Sequence, residues 1–280
     1  MPGTETKNSA PTTVSAGSAG TDKEAEQRAR RAAGEAAAAL VQSGMVLGLG
    51  TGDTAAYAIR AIAARTVQTG QSAAGGELVT GLTCVATSRR SAELAAQLGL
   101  SLVELDELDP SGGAPAQAGG AARRPIDLTI DGADEIDPHL QLVKGAGGAL
   151  LFEKLVAQSS KRLVIIADPS KCVSYLGEKR LLPVEVVAVG SRHTRERILA
   201  VPGVVSATLR RSGDAPYRTD GGNLIYDVQL DRTAGTHAKE LHEKLKSLCG
   251  VIETGLFCTE ADHAIVGNPD GTVVRLQLSK

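Results

Sequence analysis

Four loops, each directly after a short apolar run, constrain this chain more than any other feature. Gly50-Thr51-Gly52-Asp53-Thr54 follows the run 45–49, and the acidic stretch 131–137 follows 126–130. Lys144-Gly145-Ala146-Gly147-Gly148 follows 140–143, and Asp168-Pro169-Ser170-Lys171 follows 163–167. A strand running into a glycine turn and then a helix opens an open α/β sheet, whose strand ends face one crevice. The fold expected is therefore an open Rossmann-like, mostly parallel sheet with helices on both faces, and the four loops are expected to meet.

The intervening sequence supports that order. Helices are expected over 24–41, 55–64, 88–98 (capped by Thr87 or Ser88) and 149–159, and further strands over 82–86 and 100–104. After Pro183 the pattern changes to strand 184–189, helix 193–199, strands 204–210 and 223–230, helix 236–248 and strand 251–257. That β-α-β-β-α-β order suggests a smaller ferredoxin-like α+β domain over 181–256. A hairpin, 264–266 and 272–278, would return to the first domain, giving a catalytic unit of 24–180 and 257–280. Residues 1–23 read as a disordered tail without an apolar signal core, and 110–125 as a low-complexity surface insertion.

Composition narrows the ligand. Aromatic residues are only 2% of the 280 positions, so stacking platforms for single-stranded nucleic acid are not expected. The net charge of −2 gives no global field to recruit nucleic acid or acidic lipid. No apolar run approaches the ~18 residues of a membrane span. Cys84, Cys172, Cys249 and Cys258 are scattered without a C-x-x-C pair, which fits a reducing, cytoplasmic setting. The five histidines lack metal spacing, so no metal is expected.

Each loop has competing readings. Gly50-Thr51-Gly52-Asp53-Thr54-Ala55 fits a loose G-x-G-x-x-A, and Arg89-Arg90 after the second strand could accept a 2′-phosphate, which keeps an NADP-dependent oxidoreductase open. The same turn suits a simple phosphate, or is a tight turn capped by Asp53. Asp131, Asp134, Glu135 and Asp137 miss calcium-loop spacing because Ala133 stands at a ligand position; a solvated acidic turn is the alternative. Lys144 near Glu153 matches an enediolate-forming pair, a base for a proton α to a carbonyl and a cation for the developing oxyanion. Taken singly, each also reads as a surface residue.

Taken in order, G-L-G-T-G-D-T-A at 48–55, D-G-A-D-E-I at 131–136, K-G-A-G-G-A-L at 144–150, Glu153-Lys154, A-D-P-S-K at 167–171, L-P-V-E-V at 182–186 and T-D-G-G-N at 219–223 resemble type A ribose-5-phosphate isomerase over about 24–280. The resemblance implies metal- and cofactor-free interconversion of D-ribose 5-phosphate and D-ribulose 5-phosphate in the non-oxidative pentose phosphate pathway, by a homodimer or homotetramer. It implies Glu153 as the base and Asp131 as the assistant of ring opening. Asp134 and Lys144 would hold the sugar oxygens, beside Gly132, Ala133, Gly145, Ala146 and Gly147. Thr51, Gly52, Asp53, Thr54 and Lys171 would grip substrate and phosphate, with Arg30 or Arg31 adding charge. A non-catalytic sugar-phosphate sensor is the other class; it would be expected to lack the base or the lysine. Asp53 departs from the Ser or Thr usual there and faces a phosphate dianion, unless it turns away as a helix cap.

Overall fold

The computed structural model describes residues 18–66, 78–108 and 125–278. In chain order the first elements are α1 (Ser18–Ala38), β1 (Val46–Leu49), α2 (Asp53–Ala64), β2 (Thr83–Ala86), α3 (Arg89–Gln97), β3 (Leu128–Gly132), β4 (Glu135–Ile136), β5 (Leu142–Val143), α4 (Leu150–Gln158) and β6 (Leu163–Ala167). They are followed by β7 (Leu182–Val186), α5 (Ser191–Leu199), β8 (Val204–Leu209), β9 (Arg211–Ser212), β10 (Ala215–Pro216), β11 (Leu224–Leu230), α6 (Arg232–Thr236) and α7 (Ala238–Lys246). The last are β12 (Val251–Thr254), β13 (Leu256–Phe257), β14 (His263–Gly267) and β15 (Val273–Leu276).

The central sheet has six strands in the order β15-β14-β6-β3-β1-β2, parallel except for β15. The returning hairpin thus joins this sheet. From β1 the chain steps to β2 on one side and then crosses back to β3 on the other. The switch point therefore lies between β1 and β3, where ligands bind in open α/β sheets. Strands buried on both faces read as continuous apolar runs, and all five residues of β6 are buried. Small residues let the helices approach: Ala29, Ala33 and Ala37 of α1 are fully buried at four-residue spacing.

A second sheet, β12-β7-β11-β8, is antiparallel throughout and carries α5 and α7 in its connections, which is the ferredoxin-like strand order. It has its own apolar core, including Val184, Ile198, Val228 and Leu245. A three-stranded sheet, β13-β5-β4, lies between, with Leu256 paired to Val143 and Glu135 to Val143 on its other side.

Several expected bounds are corrected. Helix α1 begins at Ser18, inside the stretch read as a tail; residues 1–17 lie outside the described residues, as do 110–124 of the insertion. One interior glycine costs only about 1 kcal/mol of helix propensity, so Gly20 does not stop the helix. No strand forms over 100–104: Leu102 makes an isolated parallel bridge to Cys84, and the chain then turns into a 3₁₀ helix at Leu105–Glu107. The helix expected over 236–248 is α7, 238–246; a separate short helix, α6, precedes it and ends at Thr236, with His237, whose ψ of 48° is not helical, between them. Strand β3 ends two residues later than expected, so Asp131 lies within it, in register with Ile165.

Candidate active site

The β1–β3 switch point brings two of the loops into direct contact. Gly50 N–H donates to Ile130 carbonyl at 2.9 Å, continuing the strand pairing past β1. A side chain at Gly50 would collide with Asp131: an added Cβ falls 2.2 Å from Asp131 Oδ1 and 2.5 Å from its Cα. Glycine is therefore required for the backbones to meet. Asp131 Oδ1 in turn accepts N–H bonds from Thr51 (2.9 Å) and Gly132 (2.7 Å). Gly52 then takes φ 110° and leads into α2, with Asp53 as its first residue.

Lys144 enters from β5, its N–H bonded to Gly255 carbonyl at 2.8 Å. Its ammonium lies 3.0 Å from Asp131 Oδ2, 3.0 Å from Glu153 Oε1 and 2.5 Å from Gly132 carbonyl oxygen. All three charged side chains are 5% exposed or less. The Phe257 ring is flanked by two cations, Lys144 Nζ at 5.5 Å and Lys154 Nζ at 4.7 Å from its centroid. Lys154 faces away from the site, bonding Glu253, Thr254 carbonyl and Leu256 carbonyl, and so fastens α4 to β12 and β13.

Burial disfavours both carboxylates near Lys144. Desolvation pushes Glu153 up to about 8, more than the Lys144 charge pulls it down, and the Asp131 charge adds to the rise. Desolvation also raises Asp131, against the Lys144 charge and the two backbone N–H bonds. Burial works against the charge of Lys144 too, but its two carboxylates outweigh it and hold the ammonium above the usual lysine value. Among the described residues, Glu153 Oε2 is buried without a hydrogen-bond partner.

Lys144 and Glu153 border a cavity of about 430 Å³. Thr51, Gly52, Asp53, Thr54, Gly132, Ala133, Asp134, Lys144, Gly145, Ala146, Gly147, Glu153 and Lys171 line it. Asp134 Oδ2 accepts from Ala146 N–H at 2.8 Å and so ties the acidic run to the glycine loop. Asp131 does not line the cavity; it stands behind Lys144 with both oxygens engaged. Glu135 and Asp137 are structural: Glu135 accepts from the N–H groups of Gly177, Lys179 and Arg180, and Asp137 from those of His139 and Gln141. Among the described residues, no group of three or more His, Cys, Asp or Glu is placed to hold a metal ion.

Asp53 is not a cap, since Gly52 holds that position; its carboxylate pairs with Arg90 at 2.8 Å and lies 3.8 Å from Arg30. The adjacent arginines divide: Arg89 binds Asp220 while Arg90 binds Asp53. Arg90, raised from sequence only as a 2′-phosphate acceptor, lines the cavity, and sequence reasoning missed Ser88, Tyr217 and Asp220 as lining residues. Tyr217 follows β10 and donates its hydroxyl to Gly147 carbonyl at 3.1 Å, while Arg210 after β8 donates to the carbonyls of Gly145 and Ala146. The antiparallel half of the chain thus grips the glycine loop from outside.

A parallel α/β sheet whose switch point holds a buried lysine between two carboxylates, beside a small polar cavity, defines an enzyme that moves protons on a small oxygenated substrate. The family model described as ribose 5-phosphate isomerase A (phosphoriboisomerase A) matches residues 83–271. The chain belongs to that family. Ribose-5-phosphate isomerase A of Deinococcus radiodurans is 46% identical over 234 residues, 83% of this chain and 91% of that protein. That of Caulobacter vibrioides is 44% identical over 251 residues, 89% and 97% of the two chains. The solved ribose 5-phosphate isomerase A of Methanocaldococcus jannaschii superposes with a TM-score of 0.74 at 34% identity, over 89% of this chain and 98% of that one. A D-ribose-5-phosphate isomerase in complex with phospho-erythronic acid gives 0.76 at 31%, over 89% and 97%.

Proposed function

We propose that this protein interconverts D-ribose 5-phosphate and D-ribulose 5-phosphate through a cis-enediolate, in the non-oxidative pentose phosphate pathway. The observation that carries the reading is Glu153: a carboxyl on the cavity wall, raised to about 8, with one oxygen held by Lys144 and the other unpartnered among the described residues. A base tuned toward neutral pH is what proton abstraction next to a carbonyl needs.

In the forward direction Glu153 takes the proton from C2 of the open-chain aldose, and the electron pair forms the C1–C2 double bond as negative charge moves onto O1. Lys144, on the cavity wall, faces that oxygen as a fixed cation. Glu153 then returns the proton to C1, and the O2 proton passes to O1, leaving the C2 ketone. Asp134 serves the sugar oxygens. Asp131 acts through Lys144, holding it charged and in place; the ring-opening role that the family resemblance implies for it would need it to reach the cavity.

The turn 51–54 at the start of α2, with Lys171, takes the phosphate. The six-stranded sheet with its helices forms the catalytic unit (24–180 and 257–280), and 181–256 the supporting ferredoxin-like unit. A homodimer or homotetramer belongs to the same reading on the strength of the resemblance. A cytoplasmic setting is supported by four free cysteines. Among the described residues no helix is long and apolar enough to cross a membrane. A coupled assay of ribose 5-phosphate conversion, with and without EDTA, tests the proposal: turnover unchanged by EDTA is expected, and no turnover refutes it.

A further inference from the structure

Asp53 places a negative charge in the turn where the α2 N-terminus favours an anion. A phosphate dianion bound there would be repelled unless the carboxylate were neutralised. Two arginines approach it, and they are not equivalent. Arg30 is already committed, with Nε on Asp168 Oδ2 at 3.2 Å and Nη2 on Glu26. Its distance to Asp53 is 3.8 Å, beyond a hydrogen bond. Arg90 Nη2 donates to Asp53 Oδ1 at 2.8 Å.

Arg90 is aimed by its helix. Ser88 caps α3, accepting from Ser91 N–H, and Asp220 Oδ2 accepts from Arg89 N–H at 2.9 Å. That geometry directs Arg90 across the cavity mouth toward α2, and both members of the pair line the cavity. Their side chains are 70% and 65% exposed, so the pair adds little to folding stability. Its effect falls on the potential felt by an anion in the cavity.

We propose that Arg90 sets the affinity of the site for the phosphate by acting through Asp53. It neutralises the carboxylate in the phosphate-facing turn, so that this chain binds a dianionic sugar phosphate with an acid where a neutral hydroxyl residue would serve. The inference rests on the reading of 51–54 as the phosphate end of the site.

A double-mutant cycle tests it, with Arg90→Ala, Asp53→Ser and the pair made in the full chain. KM and kcat for ribose 5-phosphate are measured, together with binding of inorganic phosphate by calorimetry. Arg90→Ala is expected to raise KM and the phosphate dissociation constant about 10-fold, with kcat moving less than about twofold. Asp53→Ser is expected to lower both constants, and in that background loss of Arg90 changes them less than about twofold. Arg90→Lys should restore most of the affinity. An equal rise in both backgrounds would make Arg90 a direct phosphate ligand and overturn the proposal, as would no rise when Asp53 is present. Calorimetry separates the two claims: absent ribose 5-phosphate turnover with the expected coupling intact refutes only the functional reading.

Discussion

Lys144 Nζ lies 3.0 Å from Glu153 Oε1, and neither side chain is more than 5% exposed. The pair is nevertheless incomplete, because Lys144 divides its charge between Glu153 and Asp131, and Glu153 Oε2 has no partner among the described residues. A buried carboxyl held by half of its oxygens is costly as an anion, so it takes up a proton readily and can release it in the same geometry.

That balance sets the pH dependence. With Glu153 raised to about 8, the base is mostly protonated at pH 6 and gains its active, ionised form as pH rises. Lys144 is held above the usual lysine value and stays charged across this range. The free-enzyme profile of kcat/KM should therefore climb about tenfold per pH unit below that value and level off near pH 8 to 9. A profile flat from pH 6 upward would place the base elsewhere.

The same shift has a consequence for stability. Between 4.5, the ordinary glutamate value, and about 8, the folded chain binds a proton at Glu153 that the unfolded chain has released. Stability from this group is thus complete below that window and is lost as pH rises through it. Glu153→Gln removes the cost of the buried anion. It should raise Tm relative to wild type at pH 9, by about 2–4 °C per kcal/mol recovered, and change it little at pH 5. Thermal denaturation at the two pH values checks this.

Gly50→Ala should couple fold and site. Its Cβ would meet Asp131 at 2.2 Å, against backbone as well as side chain. Overpacking of this kind costs about 1–3 kcal/mol. Because the displaced residue holds Lys144, kcat should fall at least about tenfold even where the variant is fully folded, which circular dichroism with steady-state kinetics will show.

Lys154 is next to Glu153 in sequence but opposite in duty. Its side chain is 3% exposed, and its ammonium satisfies Glu253 and two carbonyls. Lys154→Met should destabilise the chain by about 3–5 kcal/mol in urea denaturation, since a buried carboxylate and two carbonyls lose their donor. Lys246, 3.0 Å from Glu253, offsets part of that loss.

Much of the site was legible because an open parallel sheet sends its strand ends to one edge, so loops distant in sequence had to meet. Loop and helix positions put Lys144 near Glu153, and the two do meet, although singly each reads as a surface residue and only the family resemblance gives them roles. What periodicity could not show was register. Two residues of extra strand moved Asp131 from the crevice to a place behind Lys144. Nor could it show partners from the other sheet: Tyr217 and Arg210 reach the glycine loop by tertiary packing, and no local pattern marks them. The acidic run at 131–137 looked like one feature and proved to be several. Asp131 holds Lys144, Asp134 lines the cavity, and Glu135 and Asp137 cap turns. Nor does any local pattern pair Asp53 with Arg90, which lies 37 residues on in the chain and 2.8 Å away in space.

The most direct test of the account is the kcat of Glu153→Gln with ribose 5-phosphate at pH 8. The variant keeps the shape of the side chain and loses the base, so kcat should fall at least about 10²-fold. Turnover within a few fold of wild type would contradict the assignment of Glu153 as the proton carrier.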